Sequence, residues 1–174
     1  MPDFPSFPRP LAGAMRLLPT PPLSVALTVL TRKILQGHPG LVTRLGDQAG
    51  KRFALDPTDL PLVLVLSLPD GRARISVQRD ASGADCRIAG KLSALLGLVH
   101  GAVDGDALFF SRDVVIEGDT EAALALRNAV DDAEIDLACE IERLAPPLAP
   151  LLKRLIAQAE RRSGVALTRA TEVI

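Results

Sequence analysis

The sequence predicts an α+β domain, and three observations carry that expectation. Between residues 51 and 90 the apolar positions recur with the period of strands; on either side they recur every three or four residues, as in helices; and no segment repeats. The 174 residues suffice for one domain that hides roughly 70% of the surface of its extended chain.

Taken in order, the elements justify themselves locally. Seven of the 14 prolines (Pro2, Pro5, Pro8, Pro10, Pro19, Pro21 and Pro22) fall in residues 1–22. Proline fixes φ and lacks an amide donor, so this stretch reads as an extended arm. Phe4, Phe7, Leu11, Met15, Leu17 and Leu18 make it apolar enough to lie against its own domain. From residue 23 to 36, Leu23, Ala26, Leu27, Leu30 and Ile34 form a helical stripe opened by Pro22 and closed by Gly37. A shorter helix follows over 41–48 and a short strand over 51–55. Residues 62–68 are apolar at nearly every position, as a central strand covered on both faces should be. Pro69-Asp70-Gly71 is a turn, and 72–79 alternates, with Ala73, Ile75 and Val77 inward and Arg74, Ser76 and Gln78 outward. Cys86, Ile88 and Gly90 give a third alternation that completes an antiparallel meander.

Residues 91–100 read as a helix with Leu92, Leu95, Leu96 and Val99 on one side. Strands over 107–110 and 114–117 flank a turn at Ser111, Arg112 and Asp113. Asp119 then caps a helix whose stripe is Ala123, Leu126, Val130, Ala133 and Leu137, and a last, basic helix runs from about 147 to 162. The expected divisions are a Pro-rich arm over 1–22, a folded domain over 23–145 and a basic amphipathic helix and tail over 146–174.

Composition excludes several functions. There are 29 leucines but only five aromatic residues, none of them Trp or Tyr, so the chain lacks platforms on which bases or sugars stack. A net charge of −1 lacks the excess of Lys and Arg that grips a phosphate backbone, so no nucleic-acid partner is expected. Cys86 and Cys139 make no disulfide framework and read as two free, buried thiols of a reducing compartment; with only His38 and His100 they make no zinc cluster either. No segment approaches the about 20 apolar residues that cross a bilayer, and the early prolines interrupt any secretory signal, so a cytoplasmic protein is expected. Asp104, Asp106, Asp113, Glu117 and Asp119 crowd 16 residues, but Leu108 and Val115 stand where a calcium loop needs oxygen ligands, and loop and cap roles explain the carboxylates. No nucleophile elbow, phosphate loop or dinucleotide fingerprint occurs, so catalytic residues and cofactors are expected to be none. The aliphatic elements could enclose a cavity for a hydrocarbon tail or simply pack one another; periodicity alone leaves both open.

The stretch Ala107-Leu108-Phe109-Phe110-Ser111-Arg112-Asp113-Val114-Val115-Ile116-Glu117-Gly118-Asp119-Thr120-Glu121, continuing through Leu124 to Asn128, resembles the hallmark of the UbiT family, bacterial accessory factors of ubiquinone biosynthesis. The resemblance in element order covers about 23–137. It implies a sterol carrier protein type 2-like fold, with about five mostly antiparallel strands covered by helices that enclose an apolar cavity. It further implies a non-enzymatic lipid binder for the oxygen-independent branch of the pathway. The implied ligands are isoprenoid quinone precursors or phospholipid, and the implied partners are UbiU- and UbiV-like proteins and other quinone-biosynthesis enzymes. A protein-interaction scaffold and a UbiJ-like carrier of the aerobic branch are the alternatives.

Within that fold the expected lipid-binding residues are Leu64, Leu66, Ile75, Val77, Ile88, Leu92, Leu95, Leu96, Val99, Phe109, Val114, Ile116, Leu126 and Val130. Arg112 is expected at the mouth or in a turn, and Asp119 as a helix cap. From residue 151 to the end the net charge is +3. Leu151, Leu152 and Leu155 beside Lys153, Arg154, Arg161 and Arg162 therefore suit transient docking on an anionic membrane, peripheral to the inner membrane, or closure of the domain's own core.

Overall fold

In the computed structural model, which describes residues 4–99, 111–133 and 135–144, a five-stranded sheet carries the helices on one of its faces. The strands are β1 (Phe53–Pro57), β2 (Val63–Ser67), β3 (Arg74–Gln78), β4 (Cys86–Gly90) and β5 (Val114–Gly118), in the spatial order β3-β2-β1-β4-β5. Neighbours run antiparallel except β1 and β4, which are parallel. The helices are α1 (Arg9–Met15), α2 (Thr20–Gly37), α3 (Gly40–Leu45), α4 (Leu92–Val99), α5 (Thr120–Ala133) and α6 (Leu137–Leu144). A 3₁₀ turn, Gly46–Gly50, joins α3 to the sheet.

The meander expected from sequence stops at β3, because the outer edge of β3 is occupied by α2. Ser24 Oγ accepts from the amide of Val77 at 2.9 Å. Thr28 Oγ1 accepts from the amide of Ile75 at 2.9 Å and donates to its carbonyl at 3.2 Å, and Arg32 Nε donates to the carbonyl of Ala73 at 2.8 Å. An unpaired strand edge is a template for unwanted pairing, and this side-chain ladder closes it. The chain after β3 therefore crosses to the far side of β1, where Asp85 and Cys86 donate to Arg52 O and Asp85 Oδ2 accepts from Arg52 N at 2.7 Å. The central strand is thus β1, not 62–68. The run of apolar residues in β2 still has its reason, since both its faces are covered: Leu64 and Leu66 turn to the helices, while Val63 and Val65 join Ala54 under Ala81 and Ala84.

Three further expectations change. The proline-rich arm is extended only over 4–8, and helix α1 follows, with Pro8 at its cap and Pro10 in its first turn. Pro19, Pro21 and Pro22 open α2 in the same way. Prolines there remove only amide donors that have no intrahelical partner. The helix expected to run through Leu137 divides into α5 and α6, because Asp136 Oδ1 accepts from Cys139 N at 3.0 Å and starts a new helix. In α4 the buried residues are Ser93, Ala94, Leu95 and Leu98, rather than a stripe of Leu92, Leu95, Leu96 and Val99.

The arm accounts for that rotation. Asp59 accepts from Phe7 N at 2.7 Å and from Leu92 N at 2.8 Å, Lys91 Nζ donates to Phe4 O at 2.7 Å, and Ser93 Oγ donates to Pro5 O at 2.8 Å. These bonds fix the first turn of α4 against the arm, and Phe4 is buried in the main core. The arm lies on its own domain, as its apolar content suggested.

The ladder between α2 and β3 yields a direct test. Thr28→Val keeps shape but strands the Ile75 amide, and is expected to lower stability by about 1–2 kcal/mol in denaturant unfolding. Hydrogen exchange at Ile75 should quicken more than at Val63; unchanged exchange at Ile75 would contradict the ladder.

Candidate functional site

Strand register assembles one continuous aliphatic surface. Across the sheet, Ile75, Leu66, Phe53 and Cys86 align in one row, and Val77, Leu64, Leu55, Ile88 and Ile116 in the next. Successive side chains on a strand point to opposite faces, so these rows share the face beneath the helices, with Val114 beside Gly90 extending it. Above them lie Leu23 and Leu27 of α2, Leu41 and Leu45 of α3, Ala94, Leu95 and Leu98 of α4, and Ala122, Ala123, Leu126 and Ala129 of α5. Leu55, Leu64, Leu66 and Ile116 are only half-buried, whereas Phe53 and Ile88 are fully enclosed.

The residues expected to line a cavity distribute as follows. Leu64, Leu66, Ile75, Val77, Ile88, Val114 and Ile116 all stand on this one face, and Leu95, Val99, Leu126 and Val130 join its core from the helices. Leu92 and Leu96 are half-buried and stand outside the buried stripe of α4. Phe109 and the membrane-docking set (Leu151, Leu152, Lys153, Arg154, Leu155, Arg161 and Arg162) lie outside the described residues, as do the strand expected over 107–110, His100, Asp104 and Asp106. Sequence reasoning missed Phe53, Leu55 and Leu98. The alternation of Phe53 and Leu55 and the spacing of Leu98 from Ala94 and Leu95 were signals enough to find them.

Ionised groups are kept off this face. Arg87, pointing the other way, donates from Nε and Nη2 to Asp56 Oδ2 at 2.8 and 2.5 Å and from Nη1 to Glu117 at 2.7 Å. Asp119 accepts from Ala122 N at 3.0 Å, capping α5 as expected, and pairs with Lys51 Nζ at 3.0 Å. The amide bond from Ala122, then the bond from Lys51, holds its carboxyl below the usual range, while Asp119 raises Lys51. Asp113 bonds Ser111 in the turn where Arg112 adopts φ 62°. Asp113, Glu117 and Asp119 thus serve separate structural duties, and among the described residues no three His, Cys, Asp or Glu side chains meet as a metal site. Gly118, at φ 82°, lies so close to β4 that a Cβ there would meet the Asp85 carbonyl oxygen at 2.4 Å, so β5 reaches α5 only through glycine.

Cys86 is buried in the apolar layer, and its thiol is pushed up to about 11, first by burial and then by the nearby Asp119 and Asp85 carboxylates. Cys139 is exposed on α6, which corrects the expectation of two buried thiols: the Asp136 cap turns Cys139 outward at the start of that helix.

The sequence and the fold both have matches among known proteins. The sequence profile of the SCP-2 sterol transfer family matches residues 32–131, from the second half of α2 to near the end of α5. The chain belongs to that family. Within it, the chain is 31% identical over 106 residues to the ubiquinone biosynthesis accessory factor UbiT of Escherichia coli (strain K12), covering 61% of this chain and 56% of that protein. The same figures hold for UbiT of Escherichia coli O157:H7. The chain thus spans little more than half the length of the curated relatives it matches. A solved structure titled UbiJ-SCP2 Ubiquinone synthesis protein superposes with a TM-score of 0.55 at 24% identity, over 67% of this chain and 96% of that one, and establishes the SCP-2 α+β fold. Among the described residues no helix is long and apolar enough to cross a membrane.

The two thiols supply a check on the SCP-2 core. In the native protein at pH 8 a maleimide should label Cys139 alone, with Cys86 reacting only after denaturation, as mass spectrometry of the two peptides would read. Equal native labelling would mean that the layer around Cys86 is not closed.

Proposed function

We propose that the protein is a non-catalytic, lipid-binding accessory factor of ubiquinone biosynthesis. In this reading the aliphatic face takes the prenyl tail of a quinone precursor or the acyl chains of a phospholipid. The observation that carries it is the pair of aliphatic rows on one face of an SCP-2 sheet, with Leu55, Leu64, Leu66 and Ile116 only partly covered. Apolar area removed from water contributes about 25 cal/mol per Å², so such a surface binds a hydrocarbon tail without specific polar chemistry. Similarity to UbiT, a named accessory factor of this pathway, directs the choice of ligand toward prenylated rings. The same similarity favours the oxygen-independent branch, with UbiU- and UbiV-like proteins as partners that supply redox chemistry.

A tail that is insoluble in water has to be collected from a bilayer, and the N-terminal helices offer a surface suited to that. From residue 4 to 46 there is no carboxylate, while Arg9, Arg16, Arg32, Lys33 and Arg44 supply five positive charges. Leu17 is 87% exposed between α1 and α2, and Leu18 and the α2 residues Val25 and Val29 are exposed as well. Basic groups interleaved with exposed aliphatic ones fit reversible docking on anionic lipid. The basic C-terminal segment around Lys153, Arg154, Arg161 and Arg162 would add to it.

Two measurements decide the reading. Native mass spectrometry and solvent extraction of the purified protein should recover a prenylated ring or phospholipid. Ile116→Trp, which fills the half-covered part of the face, should reduce that yield several-fold in a protein that still unfolds cooperatively. A lipid-free protein that also takes up no added prenylated quinone would overturn the proposal. A deletion strain should lose ubiquinone without oxygen and keep it with oxygen; the reverse would assign the protein to the aerobic branch.

A further inference from the structure

The outward strand residues Asp56, Val63 and Arg87 line a groove of about 690 Å³, which adjoins the aliphatic layer at Leu60 and Leu62. These three residues belong to its floor, one wall is Leu60, Pro61 and Leu62, and Arg16, Arg79 and Asp80 close the rim. Arg79 is held rigid at this rim, donating from Nη1 to the carbonyl of Pro61 at 2.8 Å and from Nη2 to the carbonyl of Arg16 at 2.9 Å. Both partners are neutral oxygens, so these bonds position the guanidinium without cancelling its charge. Among the described residues they also leave three of its five N–H donors uncommitted.

Of the two carboxylates in the lining, Asp56 is taken by Arg87 through two bonds, while Asp80, whose Oδ1 accepts from Ser82 N at 2.9 Å, keeps its negative charge at the rim against the two positive charges of Arg16 and Arg79. Arg16 lines the same groove, and its side chain is in no ion pair among the described residues. What the lining offers an incoming molecule is therefore guanidinium donors beside an apolar wall. A guanidinium fork matches the paired oxygens of phosphate or carboxylate.

We propose that this groove binds an organic oxyanion, a phosphate or carboxylate carried on an apolar body, with Arg79 and Arg16 holding the anion and the half-buried Leu60 and Pro61 packing its apolar part. Such a group could come from a soluble molecule or from the headgroup of an anionic lipid, and the two sources are separable.

The test is a titration of the ¹⁵N-labelled full chain with phenyl phosphate and, in parallel, with inorganic phosphate, followed by amide and Arg Nε signals. Saturable shifts are expected at Leu60, Leu62, Arg79 and Ala81, with phenyl phosphate the tighter of the two. Arg79→Gln would also release the Pro61 and Arg16 carbonyls, so the informative variant is Arg16→Gln, expected to weaken binding about fivefold. Asp80→Asn keeps an acceptor for Ser82 while removing a negative charge from the rim, and should tighten binding about threefold, a gain that damage to the fold would not produce. Vesicles of phosphatidylglycerol that displace phenyl phosphate would support the groove and assign the anion to a headgroup; phenyl phosphate that stays bound would support it and assign a soluble molecule. Absence of saturable shifts at these residues, or shifts indifferent to both variants, would overturn the proposal.

Discussion

The architecture depends on a match of spacings between a helix and a strand edge. Four residues of α-helix rise about 6.0 Å and two residues of strand about 6.7 Å. Ser24, Thr28 and Arg32, four apart on α2, therefore meet Val77, Ile75 and Ala73, two apart at the β3 edge, in opposite chain directions. The longer Arg32 side chain absorbs the accumulated mismatch. Because this ladder satisfies the outer backbone groups of β3, the next strand is directed to the other side of the sheet and pairs in parallel with β1. That crossover makes β1 central, brings β5 alongside β4, and places Ile88 and Ile116 in one row with Leu55, Leu64 and Val77.

Much of this was legible locally. Alternation in 72–79, the helical stripe of 23–36 and the cap at Asp119 depend on near neighbours in sequence, and each stands where local chemistry puts it. The aliphatic face was legible for the same reason, since the period-two pattern of β3 and β4 marks inward positions whatever the strand order. Strand order itself was not, because it is decided by hydroxyl groups of Ser24 and Thr28 that in sequence look like ordinary polar positions of a helix. The burial of α4 differs by one step around its axis from the sequence pattern, since Pro5 of the arm and Asp59 of the β1–β2 loop hold its first turn. Prolines were read as a barrier to helix formation when their place at the start of α1 and α2 makes them helix openers.

The sheet separates two kinds of chemistry with the thickness of one layer. Among the described strand residues, the face beneath the helices carries no ionisable group except the Cys86 thiol, whose protonated form burial favours. The other face gathers Arg87, Asp56 and Glu117 into an ion-paired cluster beside the groove that holds Arg79. Alternation along each strand is sufficient to produce this division, so substitutions on the two faces address separate properties of the protein.

The arm, finally, is gripped by its main chain. Asp59, Lys91 and Ser93 reach Phe7 N, Phe4 O and Pro5 O, atoms that every residue or nearly every residue possesses. Within the described extended stretch 4–8, Phe4 is the side chain buried in the core. The seat for the arm is thus written in residues 59–93, and it recognises an extended backbone with one apolar anchor. The contacts joining Lys91 to Phe4 and Ser93 to Pro5 close loops of 87 and 88 residues, so the arm settles only after the sheet and α4 have brought its seat together. In energetic terms it is a late and separable layer, able to detach while the hydrogen bonds of the sheet remain whole.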